Sequence, residues 1–405
     1  MKASLLSFSI LLFAFQSIGQ IEENKLKQHI RILSADSMQG RGTGSDGERM
    51  AASYIEKQFK KIKLQPLGDE KKYLQSFTFK GGVHGTGIEG KANNIIGYLD
   101  NDATNTIVIG AHYDHLGLGE NGSSLDANPQ GKIHNGADDN ASGVAGLIEL
   151  ARYFQKNKIK EKYNFLFSAF SGEELGLFGS KYFTEHPPID LTKVNYMINL
   201  DMIGRLDPIT KALAVSGTGT SAVWENELKK LSNDNLKIKT DSAGVGPSDH
   251  TSFYLKNIPV LHFFTGSHSD YHKPSDDWEK INFAGEKTVL ELIVKIVEDL
   301  DASPKLVFLP TKNKSMGFAR SFKVTMGVMP SYTFSEEGLK VDGVSDGKPA
   351  QKAGILTGDL IIQIGEIQIK DIRAYMDALS KFEKGQTVPV KVKRNNEVVT
   401  VTLTF

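Results

Sequence analysis

Residues 106–117 read TIVIGAHYDHLG. From Ile107 to Ala111 every residue is apolar or small, and the run closes on His112. So short and continuous a run is the signature of a strand buried on both faces, not of one that alternates between core and water. The same grammar recurs. Residues 164–180 (NFLFSAFSGEELGLFGS) carry an apolar run into Glu173 and Glu174, and 194–204 (VNYMINLDMIG) carry one into Asp201. Further strand-like runs at 93–99, 212–217 and 258–264 alternate with helix-like runs at 143–157, 221–232 and 287–300. Earlier stretches at 21–33 and 49–61 also have helical spacing. Alternation of this kind predicts an α/β domain with a mostly parallel, doubly wound sheet. Such sheets form their sites just past the carboxyl ends of strands, where His112, the Glu173–Glu174 pair and Asp201 all fall.

Two more residues of the same chemistry complete the set. Asp139 lies in NGADDNASG (135–143) and His272 in GSHSDYHKPSD (266–276). Two histidines and three carboxylates, in a chain with no cysteine, suit a pair of zinc ions better than one structural zinc. Three carboxylates and a bridging hydroxide nearly balance two divalent cations. One metal would leave the pocket negative and a His and an Asp idle. Glu173 and Glu174 are adjacent, so one backbone cannot aim both at a metal; one is a ligand and the other a free base. Asp114, two past His112, is placed to accept the other ring N–H of that histidine, and Asp276 to do the same for His272. Asn140 and Ser142 suit capping of the following helix. His29, His84, His186 and His262 read as surface or satisfied core residues. His115, His134, His250 and His268 lie near the motifs and read as non-ligands.

The 405 residues suggest two or three domains. Lys plus Arg equals Asp plus Glu at 48 each, which gives no basic excess for nucleic acid, and no polybasic run points to anionic lipid. The first residues, MKASLLSFSILLFAFQSIGQ, place Lys2 before a short apolar stretch and small residues at Ser17 and Gly19. That pattern predicts a signal peptide over 1–19, export to a periplasm or the cell exterior, and no membrane span after its removal. The expected order is a catalytic domain over 20–302, a linker over 303–314 and a small β-rich domain over 315–405 whose last hairpin turns at Asn395-Asn396.

Taken together, HYDHLG, GADDNASG, EELGLFGS, NLDMIG, PSDHTSF and YHKPSD resemble the secreted di-zinc aminopeptidases of the bacterial leucyl and Streptomyces type, over roughly 25–300. The resemblance implies a zinc-exopeptidase fold, peptide substrates and two zinc ions. In it Asp139 bridges the metals, with a cis bond to Asn140. His112 and Asp201 complete one shell, Glu174 and His272 the other. Glu173 is the general base and Tyr271 steadies the oxyanion. Residues 37–45 (SMQGRGTGS) are also family-like, and 81–90 are too short for the insertion larger relatives carry. The tail resembles a PDZ domain of the bacterial, protease-associated kind. Met326, Gly327 and Val328 stand at its carboxylate-binding loop, which implies a C-terminal peptide ligand. Three other functions share parts of these features: a zinc-dependent glutaminyl cyclase with one zinc, a non-catalytic peptide-binding protein, and a deacetylase or carboxypeptidase of related fold.

Overall fold

The structure, a computed structural model, describes residues 19–81, 88–120, 123–311, 324–331, 337–344, 347–395 and 397–405. The expected leader up to residue 18, His84, most of 81–90, the last three linker positions, the first residues of the expected tail domain and Asn396 lie outside these.

Nine strands build the first sheet among the described residues: β1 (Gln65–Pro66), β2 (Leu74–Gly81), β3 (Ile88–Leu99), β4 (Thr106–His112), β5 (Asn164–Phe170), β6 (Val194–Leu200), β7 (Ala212–Ser216), β8 (Lys237–Asp241) and β9 (Val260–Phe264). Their order is β1-β3-β5-β4-β6-β9-β7-β8, with β2 paired to β3. The central strands β5-β4-β6-β9 run parallel. Antiparallel ladders flank them, β3 on β5 and β7 on β9, so the sheet is mixed rather than mostly parallel. The parallel centre is the part read from the apolar runs. The margins carry polar residues, as in β8, where Lys237, Lys239 and Asp241 are exposed on the sheet edge and no apolar run marks a strand.

Helices α1 (Glu23–Leu33), α2 (Asp46–Ile62), α3 (Gly143–Lys156), α4 (Phe178–Glu185), α5 (Trp224–Leu231), α6 (His250–Tyr254) and α7 (Phe283–Leu300) cover the sheet. The double coverage explains the unbroken apolar strands. In β4, Ile107, Ile109 and Ala111 enter the larger core with α1, α2, α3 and α7, while Val108 enters a second core with Phe183 of α4 and Phe253 of α6. In β5, Phe165 and Phe167 face the first and Leu166 and Phe170 the second. Each of the larger side chains (Ile, Val, Leu, Phe) stabilises the fold by roughly 1.5–3 kcal/mol on burial. The helix expected from Arg49 starts three residues earlier, because the Ser45 hydroxyl accepts the Glu48 N–H (3.2 Å) and caps it.

After α7 the chain stays on this domain. Tyr163 donates to the Ser303 carbonyl (2.5 Å), Leu306 N–H to Asn195 Oδ1 (2.7 Å), Leu309 N–H to the Thr220 carbonyl (2.8 Å) and Thr311 N–H to the Tyr254 hydroxyl (3.0 Å). The second sheet is antiparallel, with β10 (Val328–Pro330), β11 (Leu339–Val344), β12 (Leu360–Ile364), β14 (Thr387–Arg394) and β15 (Glu397–Thr404) in that order and β13 (Ile367–Gln368) on β12. Helices α8 (Pro349–Lys352) and α9 (Ile372–Leu379) accompany it. Strand β14 alternates between exposed and buried residues, so one face is covered, around Val341, Ile361, Tyr375, Val390 and Leu403. Among the described residues no helix is long and apolar enough to cross a membrane.

Candidate metal centre

His112 ends β4, Glu174 lies shortly after β5 and Asp201 directly after β6, so three parallel neighbours bring these residues to one edge of the sheet. Asp139 arrives from the irregular turn Ala137–Ser142 before α3, and its peptide bond to Asn140 is cis. His272 arrives from the loop after β9, with a left-handed backbone (φ 54°). All five converge. His112 Nε2 stands 3.4 Å from Asp139 Oδ1 and 3.4 Å from Asp201 Oδ1. His272 Nε2 stands 3.2 Å from Asp139 Oδ2 and 3.3 Å from Glu174 Oε2. Two donors each about 2.0–2.1 Å from a tetrahedral zinc lie roughly 3.3–3.4 Å apart, so these spacings fit zinc on both sides of Asp139. Ligand-type atoms also group as His112, Asp139 and Asp201 and as His115, Asp139 and Glu174.

The supports differ from those expected. His112 Nδ1–H donates to the backbone carbonyl of Asp114 (3.2 Å), and the Asp114 carboxylate lies 3.7 Å away. That carboxylate instead accepts the Thr43 hydroxyl (2.8 Å) and the N–H groups of Glu173 (3.2 Å) and Glu174 (3.4 Å). His272 Nδ1–H donates to the Ser123 carbonyl (3.0 Å), not to Asp276. Asp276 takes the N–H groups of Asp138 (3.0 Å) and Asp139 (3.1 Å) and so steadies the backbone that carries the Asp139 carboxylate. Asn140 donates to the Leu200 carbonyl (3.0 Å) and accepts the Met202 N–H (3.1 Å), gripping the chain on both sides of Asp201.

Two buried residues, Arg41 of the 37–45 stretch and Glu48 in the first turn of α2, support the site, and sequence reasoning gave neither a role. Arg41 donates to the carbonyls of Tyr113 (2.9 Å), Leu33 (2.6 Å), Asn135 (2.7 Å) and Gly136 (2.9 Å), joining the segments that follow His112 and precede Asp139. The tell-tale was a lone arginine among glycines. Glu48 accepts the Gly44 N–H (2.6 Å) and the Ser171 hydroxyl. Burial, with Asp114 nearby, pushes its carboxyl up to about 8. Between about pH 4.5 and 8 the unfolded chain has therefore shed a proton that the folded chain keeps. Stability then falls as pH rises through that window, by up to about 1.4 kcal/mol per pH unit. In chelator-treated protein, Glu48→Gln should gain on wild type steadily from pH 5 to pH 8 in urea titrations. A constant gap between the two proteins would show that Glu48 does not titrate there.

The site's charges are interlocked. Burial alone would raise Asp139, yet His115, His112 and His272 hold it well below the usual carboxylate range. Burial works against the cation at His272, but Glu174 and Asp139 lift it to about 9. Glu173 is pushed well up by desolvation, with Asp201, Glu174 and Asp249 adding and His112 opposing. Asp249, in PSDHTSF, is pushed up to about 7 by burial against the pull of His112. Tyr271 stacks on His272 with ring centroids 3.9 Å apart. In the tail, Met326 is buried, Gly327 has φ 75° and donates its N–H to the Thr325 hydroxyl (3.1 Å), and Val328 opens β10. A left-handed φ at Gly327 is costly for any residue with a Cβ.

A parallel sheet centre that gathers histidines and carboxylates in two adjoining sets at its carboxyl edge is the layout of a metal-dependent hydrolase. Residues 94–297 match peptidase family M28, half of the chain, and the protein belongs to that family. Residues 320–405 match the PDZ domain. Among curated relatives, leupeptin-inactivating enzyme 1 of Streptomyces exfoliatus is 27% identical over 259 residues, covering 63% of this chain and 51% of that protein. Aminopeptidase YwaD of Bacillus subtilis is 27% identical over 205 residues, covering 46% and 43%. The chain thus spans about half the length of these relatives. Among solved structures, a zinc aminopeptidase from Bacillus subtilis aligns at TM-score 0.55 with 18% identity, over 69% of this chain and 95% of that one. A glutaminyl cyclase from Porphyromonas gingivalis aligns at 0.56 with 20% identity, over 69% and 99%.

Proposed function

We propose that this protein is an exported aminopeptidase that works with two zinc ions and removes N-terminal residues from peptides. The observation that carries the proposal is the position of Asp139, whose two oxygens face two separate His-plus-carboxylate sets at zinc-like spacing. His112 and Asp201 would hold one ion, His272 and Glu174 the other, and Asp139 both. The pair, when bound, supplies a nucleophile at neutral pH and charge to stabilise the reacting carbonyl. Glu173 takes up the nucleophile's proton and returns it to the leaving amine, a role suited to a carboxyl whose affinity for protons burial has raised. Tyr271 would donate to the developing oxyanion. The leader-like pattern over 1–19 supports export to a periplasm or cell exterior. The proposed division is a catalytic domain from residue 20 and a PDZ domain over 315–405; the segment 303–314, expected as a linker, stays bound to the catalytic domain as far as Thr311. The PDZ domain would take a peptide carboxylate at Met326–Val328.

The fold likeness to glutaminyl cyclases favours a second reading, cyclisation of N-terminal glutamine at a single zinc. One panel separates the two. The zinc-loaded protein should cleave aminoacyl-nitroanilides and free peptides, spare N-acetylated twins, and lose this activity with a chelator. Cyclisation of glutaminyl peptides without cleavage would establish the cyclase. Equal cleavage of free and acetylated peptides would establish an endopeptidase or deacylase.

A further inference from the structure

We infer that His115 is a positioning residue. Its ring N–H holds one oxygen of Glu174 so that the other is presented, alone and fixed, to the metal site shared with His272 and Asp139. The inference rests on the two-metal reading above and adds a residue that reading does not use.

His115 is wholly buried. Its backbone N–H donates to the Arg41 carbonyl (3.1 Å). Its ring lies flush on Gly136, where a Cβ would come within 2.5 Å of His115 Cδ2. It also meets the His272 ring edge-on, with centroids 5.8 Å apart. The imidazole therefore has one place to be. From there His115 Nδ1 reaches Glu174 Oε1 at 2.8 Å and stays 3.7 Å from Asp139 Oδ2.

Ligation and hydrogen bonding are both open to a histidine in this position, and the geometry separates them. The other donor pairs of the site stand 3.2–3.4 Å apart, as two ligands of one zinc do. The 2.8 Å contact is a hydrogen bond to a charged oxygen. The two oxygens of Glu174 also diverge: Oε2 turns to His272 Nε2 at 3.3 Å and Oε1 to His115. The tautomer agrees. His115 Nε2 is buried and has no hydrogen-bond partner among the described residues. Were Nδ1 a ligand, Nε2 would carry the proton and be a buried orphan donor. With the proton on Nδ1, Nε2 is a bare acceptor, the less costly orphan. Pinning Oε1 stops Glu174 from rotating away or closing on the ion through both oxygens. A partner of this kind typically changes metal affinity by about 10–100-fold.

The test is zinc affinity of the chelator-treated full chain, by competition with a chromophoric chelator, for wild type, His115→Asn and His115→Gln. An Asn amide nitrogen falls where Nδ1 is, and a Gln amide nitrogen falls where Nε2 is. His115→Asn should bind both ions nearly as wild type does, while His115→Gln should weaken one ion by about 10–100-fold and leave the other unchanged. Equal binding by all three proteins, or equal loss in both variants, overturns the inference. Wild type that binds fewer than two ions overturns the two-metal reading instead. A measurement on wild type alone guards against misfolded variants: long-range ¹H–¹⁵N correlation of the His115 ring. A proton on Nδ1 with Nε2 bare, with and without zinc, supports the assignment. A proton on Nε2, or a zinc-shifted Nδ1, overturns it.

Discussion

Asp139→Asn should disrupt both zinc sites. The carboxylate presents Oδ1 to the His112 set and Oδ2 to the His272 set, and an amide offers only one acceptor in exchange for two. The other face of the site would meet N–H protons. Loss of a shared ligand should exceed the roughly 10–100-fold penalty typical of outer partners. Zinc content after dialysis, measured by mass spectrometry, should fall from near two per chain to below one, with activity lost in step. Asp201→Asn is the control, because it touches one set only and should spare one ion. If Asp139→Asn kept two ions, Asp139 would not be the bridge.

Glu173→Gln should be nearly as damaging to turnover while leaving the metal alone. The substitution keeps shape and removes the ability to accept a proton. Loss of a positioned general base typically costs about 10²–10⁴-fold. Zinc content should stay at the wild-type value, which separates this variant from Glu174→Gln, where one ion should be lost. The Asp114 carboxylate holds the N–H groups of both residues, so the backbone at this step should survive either change. Zinc loss in Glu173→Gln with retention in Glu174→Gln would mean that the two neighbours exchange roles.

The parts legible in the sequence are those with a local signature. Each central strand announces itself by an apolar run, since both of its faces are covered, and His112, the Glu173–Glu174 pair and Asp201 stand at or just past the ends of such runs, whereas Asp139 and His272 come from loops. The supports were less legible because they depend on how the chain returns. Asp114 is two residues from His112, and spacing alone pairs its carboxylate with the ring. The backbone carbonyl of the same residue intercepts the proton, and the carboxylate turns to the Glu173–Glu174 step, a contact across 59 residues of chain. Asp276 follows His272 by four residues, but the left-handed turn at His272 sends it under the Asp138–Asp139 amides. His115 read as a bystander because nothing in HYDHLG says that Glu174 will arrive beside it. The edge strand β8 has no apolar run to betray it.

Arg41 carries a consequence of another kind. Its guanidinium gathers carbonyls from Leu33, Tyr113, Asn135 and Gly136, yet it lies 53 positions ahead of residue 94, where the family match begins. The stretch that heredity marks as a unit is thus smaller than the stretch that bears the mechanical strain of holding the site. Anyone who trims, shuffles or grafts this enzyme along the boundaries of its family match would carry away the ligand-type residues and leave their keystone behind.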